Sequence, residues 1–141
     1  MIRIELLSWE KARAEATRIR YTVFVAEQRV PAEIEMDEND AHCVHAMAYS
    51  EDGSAVGTGR LLPDGHIGRM AVLRDWRRQG VGSAILEALM QAAASRGDAC
   101  VVLSAQTHAQ AFYARHGFVP HGGVFEEAGI PHQEMRRGLR S

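Results

Sequence analysis

The chain opens on "IRIELL", where apolar and polar side chains alternate, so a first strand is expected. Ala12, Ala16, Ile19 and Val23 then recur at steps of three and four, which predicts a helix with one apolar face. Ser8 stands in its N-cap position, and it should end near Gln28, before Pro31. The next stretch, "PAEIEMDEND", has no helical stripe and reads as an acidic connection. "HCVHAMAYS", "SAVGTGRLL" and "HIGRMAVL" read as three successive strands, and the turn residues of "EDGS" and "PDG" between them predict an antiparallel meander. Val81, Ala84, Ile85, Ala88, Leu89 and Ala92 share one face of a second long helix, with Gly97 just past Arg96 at its end. "ACVVLSA" predicts a short strand buried on both faces. Thr107 and Gln110 have capping-box spacing for a helix closed by Gly117, and two strands follow, "FVPHGGVF" and one near "HQEMRRGL", with a turn at "EEAGIP". The order is β-α-β-β-β-α-β-α-β-β, an α+β pattern.

Composition narrows the class. A chain of 141 residues, 46% hydrophobic and 24% charged, is expected to form one domain over residues 1–141. No apolar run approaches the roughly 20 residues of a membrane span, and charged residues from Arg3 onward do not resemble a signal segment, so a cytoplasmic location is expected. Cys43 and Cys100 fall in strand-like segments and read as packed thiols. A net charge of −2 argues against a nucleic-acid partner, but the charge is uneven. Glu27 to Asp40 holds six acidic residues and one arginine, a net −5, whereas Arg69 to Arg78 holds four arginines and one aspartate, a net +3. One region could attract a cation and the other an anion.

The chemistry concentrates in "RRQGVGSAIL", Arg77 to Leu86, which opens a helix with two glycines although each costs about 1 kcal/mol against alanine inside a helix. The first N–H groups of a helix lack partners and carry positive character, so Gly80 and Gly82 could let an anion approach them, with Arg77 and Arg78 alongside. The alternative is that the glycines only end a turn and let the helix pack tightly. Neither G-x-x-x-x-G-K-[ST] nor G-x-G-x-x-G is present in this stretch.

"RMAVLRDWRRQGVGSAIL" resembles the acyl-coenzyme A site of the GNAT acetyltransferase superfamily, with Arg77, Gly80 and Gly82 at its motif positions. "AFYARHGF" resembles the same superfamily's fourth helix, with Tyr113 at its tyrosine position. "VFVAEQRVPAEIEMDENDAH", "GRLLP", "IGRMAV", "SAQTHAQAFYARHGF" and "GIPHQEM" resemble the ElaA and YjcF-like group of small GNAT proteins over residues 23–135. The fold this implies is an α+β GNAT fold, a central mixed sheet splayed between strands 4 and 5 and flanked by helices.

The resemblance also implies roles. Met70, Ala71 and Val72 would offer main-chain bonds to the pantetheine arm and acetyl group. The amides from Arg78 through Gln79, Gly80, Val81 and Gly82 to Ser83 would hold the pyrophosphate. Gln106 would lie near the thioester, and Ala109 and Phe112 would flank the cofactor. Tyr113 would face the thioester sulfur, the alternative being a ring simply packed beside Phe112. The implied reaction is acetyl transfer from acetyl-CoA to a primary amine of a small molecule or peptide, by direct attack. No metal, nucleic acid or membrane is implied, and a homodimer is compatible with the reading.

The base is left open. Many relatives carry a glutamate on the fourth strand where this chain has Gly68. Glu27, at the end of the first helix, could act as base or acceptor-binding residue. Glu33, Glu35 and Asp37 are further candidates, but such an acidic loop more often forms a solvated surface. "HCVH" does not make a zinc site, since Cys43 and His45 would share one strand face while His42 takes the other. His121 and His132 read equally as cleft or loop residues. The rival reading is a coenzyme A-binding sensor or interaction module of the same fold without turnover, which the missing glutamate favours and Tyr113 disfavours. An unrelated nucleotide-binding domain would need a catalytic lysine, and the one lysine, Lys11, lies far upstream.

Overall fold

In the computed structural model, which describes residues 1–139, the chain folds as two antiparallel sheets with helices around them. The first sheet has the order β1-β2-β3-β4, with β1 at Arg3–Leu7, β2 at Val44–Tyr49, β3 at Ala55–Leu61 and β4 at Ile67–Val72. The second has the order β5-β7-β6, with β5 at Cys100–Gln106, β6 at Val119–Glu127 and β7 at Ile130–Gly138. The helices are α1 at Trp9–Arg20, a short α2 at Ala32–Glu35, α3 at Val81–Ser95 and α4 at Gln110–Arg115.

Period-2 alternation puts the two long helices on opposite faces of the first sheet. Met47, Ala55 and Ala71 pack against Ala12, Ala16 and Ile19 of α1. Their neighbours Ala46, Ala48 and Val56 pack against Val81, Ile85 and Leu89 of α3. The close approach of α3 depends on β3: a Cβ at Gly57 or Gly59 would stand 2.9 Å from a methyl of Ile85. Tight helix–sheet packing, one reading of Gly80 and Gly82, is therefore the work of a different glycine pair.

Among the described residues, the two sheets are joined at one end of β4 and β5. A parallel bridge pairs His66 with Val102, and Val102 N–H donates to the Gly65 carbonyl at 3.1 Å. Beyond it the strands separate, which makes the combined sheet mixed and splayed as the resemblance implied. β5 is buried on one face rather than both: Val101, Leu103 and Ala105 enter the core while Cys100 and Ser104 are exposed. Cys100 is thus not a packed thiol, whereas Cys43 is buried and its thiol donates to the Asn39 carbonyl.

Several local expectations are revised. α1 continues into a π-helical segment, Tyr21–Glu27, whose wide turn is marked by Gln28 N–H bonding Val23 O at 3.0 Å, and the expected end near Gln28 holds. Ser8 precedes α1 but its side chain makes no cap bond. Thr107 begins a 3-10 turn, and Gln110 bonds Gln133 instead of closing a capping box. His42 belongs to a 3-10 turn, Glu38–His42, rather than to a strand.

The acidic connection is the largest revision. Arg20, 1% exposed, bonds Glu35 at 2.6 Å and Asp40 at 2.9 Å. Arg60 bonds Asp40 at 2.9 Å and Asp37 at 2.8 Å, and Arg69 reaches Asp37 at 3.3 Å. Glu35 and Asp40 are buried, so this segment is a neutralised ion cluster that anchors it to α1 and the sheet, not a solvated surface. Removing one member of such a buried cluster costs about 3–5 kcal/mol, because its partners stay buried and uncompensated.

Candidate active site

Where β4 and β5 diverge, a cavity of about 780 Å³ opens, within the range of small-molecule sites. Gly68, Arg69, Met70, Ala71 and Val72 form one wall, and Leu103, Ser104 and Gln106 form the other. The β4 wall is irregular. Thr58 pairs Ala71 and Arg60 pairs Gly68, so Gly59 alone opposes Arg69 and Met70, and Arg69 adopts φ 49°. Such a bulge takes main-chain groups of β4 out of the ladder beside the cavity. The bonds from Arg69 to Glu35 O at 3.1 Å and to Asp37 offset the left-handed backbone.

A second cavity, about 450 Å³, continues past the other side of β4 to the mouth of α3. Its walls include Arg78, Gly80, Gly82, Ser83, Phe112 and Arg115. Gly80 is the residue before α3 at φ 84°, a conformation that disfavours side chains, so this glycine is required by backbone geometry. The first intrahelical bond is Ala84 N–H to Gly80 O at 3.0 Å, which leaves Val81, Gly82 and Ser83 amides ahead of the ladder. A Cβ at Gly82 would meet Phe112 at 3.4 Å, so its hydrogen keeps the space between helix mouth and ring open. Fifteen residues of aligned peptide dipoles in α3 point positive charge at that space.

The two cavities share six lining residues: Met70, Ala71, Val72, Arg77, Ala109 and Tyr113. Tyr113 packs edge-on against Phe112, centroids 5.0 Å apart, and against Phe118 at 5.9 Å. Burial pushes its phenol up to about 12.

Most of the expected cofactor residues thus line two adjoining cavities that share a wall. Three do not line the smaller one at the mouth of α3. Val81 is buried in the core, the Gln79 side chain turns back to Asp75 O at 2.9 Å, and Gln106 lines the larger cavity, where it bonds Gln28 at 3.0 Å and His108 at 2.7 Å. Arg77 lines both cavities, but its guanidinium bonds Val72 O and the Glu27 carboxylate. Arg115, three residues after Phe112 on the same helix face, also lines the smaller cavity, which the sequence motifs do not single out. Ser83 Oγ stands 2.9 Å from His116 Nε2.

Glu27 also lines the large cavity, at the end of the π-helical segment. Hydrogen bonds from Arg77 hold its carboxyl below the usual carboxylate range. Glu33, Glu35 and Asp37 are not free bases at the cavity: Glu35 and Asp37 belong to the ion cluster, and Glu33 is exposed on α2. With Glu27, Glu35, Asp37 and Asp40 all paired to arginine, the net −5 of this segment is largely neutralised. Among the described residues no group of three His, Cys, Asp or Glu side chains could hold a metal, and no helix is long and apolar enough to cross a membrane.

The geometry agrees with what the chain resembles. A family model described as acetyltransferase (GNAT) domain matches residues 10–139. YjcF of Bacillus subtilis, described as an uncharacterized N-acetyltransferase, is 41% identical over 132 residues, covering 91% of this chain and 94% of its own. The crystal structure of an acyl-CoA N-acyltransferase from Pseudomonas aeruginosa superposes with TM-score 0.86 at 35% identity, covering 97% and 99% of the two chains. Escherichia coli ElaA superposes with TM-score 0.85 at 30% identity, again covering 97% and 99%.

Proposed function

The chain belongs to the GNAT acetyltransferase family and is an acyltransferase, and from that premise we propose that it moves acetyl from acetyl-CoA to a primary amine by direct attack. The observation that carries this reading is the shared wall of the two cavities, Met70 to Val72 with Tyr113, where a donor held at the helix mouth would meet an acceptor held between β4 and β5. The residues suit the donor. The unpartnered amides of Val81, Gly82 and Ser83 suit an anion, with Arg78 and Arg115 lining the same cavity and Phe112 giving it an apolar wall.

Tyr113 is the donor to the departing sulfur. With its phenol at about 12 and a thiol near 8.5, complete proton transfer would be uphill by about 5 kcal/mol, so its main contribution is a hydrogen bond to charge developing on sulfur. Glu27 acts on the acceptor side by fixing Arg77 and the cavity wall. Its depressed affinity for protons makes it a weak base at neutral pH.

The test follows thiol release from acetyl-CoA with spermidine, glucosamine, glycine and a lysine-containing peptide as acceptors. Release that depends on one of these amines, with a matching N-acetyl product by mass, supports transfer. Tight acetyl-CoA binding with no release from any of the four would support a sensor of the same fold instead.

A further inference from the structure

The direct-attack reading requires a group that takes a proton from the amine, and the usual fourth-strand position is Gly68, where a Cβ would meet nothing within 4 Å. The other candidate bases that line the large cavity are paired or exposed, Glu127 at the end of β6 being exposed. Glu27 is held by Arg77; His66 is half exposed and bonded to Asp64; and the exposed His108 binds Gln106 through Nε2.

His132 differs from all of these. It lies on β7, 8% exposed, opposite Gln106 on β5 and Phe125 on β6. Its ring is stacked on Phe125, centroids 6.0 Å apart and planes inclined 23°. It lines the large cavity and a smaller adjoining one of about 150 Å³. Its Nδ1 is 2.6 Å from the main-chain oxygen of Ile130. A carbonyl oxygen can only accept, so Nδ1 carries the proton, and in the neutral ring Nε2 presents a lone pair.

We infer that His132 is the general base of the transfer, its tautomer set by Ile130 and its ring held by Phe125. This rests on the acyl-transfer reading above. The amine nitrogen attacks the thioester carbonyl carbon and the C–N bond forms. The N–H proton passes to His132 Nε2, directly or through one water, and the C–S bond breaks with its electron pair on sulfur. The thiolate accepts a hydrogen bond from Tyr113 and takes its proton from solvent, while the imidazolium returns one. The charged groups that line the smaller cavity with the ring are Glu127 from β6, Arg69 from β4 and Glu35 from α2, the last two joined to each other in the ion cluster.

His132→Asn keeps an N–H donor where Nδ1 stands and removes Nε2. With acetyl-CoA and the best of the four named amines, kcat/KM should fall about 100-fold while acetyl-CoA affinity is unchanged, and the acidic limb of the pH profile should vanish. Histidine ring NMR should find the wild-type residue as the Nδ1–H tautomer. An active wild type with His132→Asn within about threefold of it, or slowed with its acidic limb intact, overturns this inference and leaves the acyl-transfer reading standing. An Nε2–H tautomer likewise overturns it. A wild type that turns over none of the amines overturns both.

Discussion

The Glu27 carboxylate and the Arg77 guanidinium, fifty residues apart, face each other through hydrogen bonds of 2.6 and 2.8 Å. The pair ties the end of the π-helical segment to the loop before α3, and Arg77 in turn holds Val72 O at 2.8 Å. One contact thus links the wall of the large cavity, β4 and the mouth of α3. The two residues that looked like a base and a phosphate ligand meet each other.

This relationship gives a prediction for Glu27→Gln. The folded-state affinity of Glu27 for protons is lowered, so the residue is ionised at every pH above its ordinary value of 4.5 and changes charge only below it. An acidic limb between pH 5 and 8 therefore belongs to another group. The variant should lose no more than about tenfold in kcat/KM and keep the midpoint of that limb. Steady-state kinetics across pH 5–9 checks both.

Tyr113→Phe keeps the edge-on packing against Phe112 and removes only the hydroxyl. Turnover should fall about 100-fold, with acetyl-CoA affinity unchanged, because the bond to sulfur is made as charge develops and not in the ground state. Equal losses in turnover and affinity would assign the hydroxyl to binding.

The element order was legible because burial imposes periodicity. Ala12, Ala16 and Ile19 on α1, and Val81, Ile85 and Leu89 on α3, could be read without a partner in view, and so could the glycine-led mouth of α3. What failed depended on distant residues. The 27–40 segment looked solvated because its arginine partners lie outside it, Arg20 on α1 and Arg60 and Arg69 on β3 and β4, 15 or more positions from the carboxylates they bond. Gly57 and Gly59 reveal their role only once Ile85 is packed over them. Ser8 and Thr107 carried correct capping residue types, but local spacing does not decide whether a side-chain bond forms. The Nδ1 bond of His132 depends on the backbone path at Ile130, which no side-chain pattern encodes.

His45 makes the stability depend on pH. It is 1% exposed between Trp9 and the ion cluster, and its Nε2 lies 2.9 Å from Asp40 O. Burial lowers its affinity for protons, so below the ordinary value of 6.5 the unfolded chain binds a proton that the folded chain refuses. Stability should be fully present at pH 7 and decline as pH falls from about 6.5, by up to about 1.4 kcal/mol per unit. His45→Gln, which keeps a donor near Asp40 O, should flatten that slope between pH 5 and 7 in urea titrations.

The central claim is that the mouth of α3 holds the phosphates of acetyl-CoA, and Gly82→Asp tests it most directly. The backbone there is helical, and a Cβ would meet Phe112 at 3.4 Å and Val72 at 4.0 Å, ordinary contacts. A carboxylate in the first turn favours the helix by about 0.3–1 kcal/mol, so the fold should survive, yet the same charge stands where the pyrophosphate would sit. Isothermal calorimetry with acetyl-CoA should show affinity reduced about 100-fold or more, near 2.7 kcal/mol, in a variant whose circular dichroism matches the wild type. A folded Gly82→Asp protein that binds acetyl-CoA as tightly as the wild type would contradict the account.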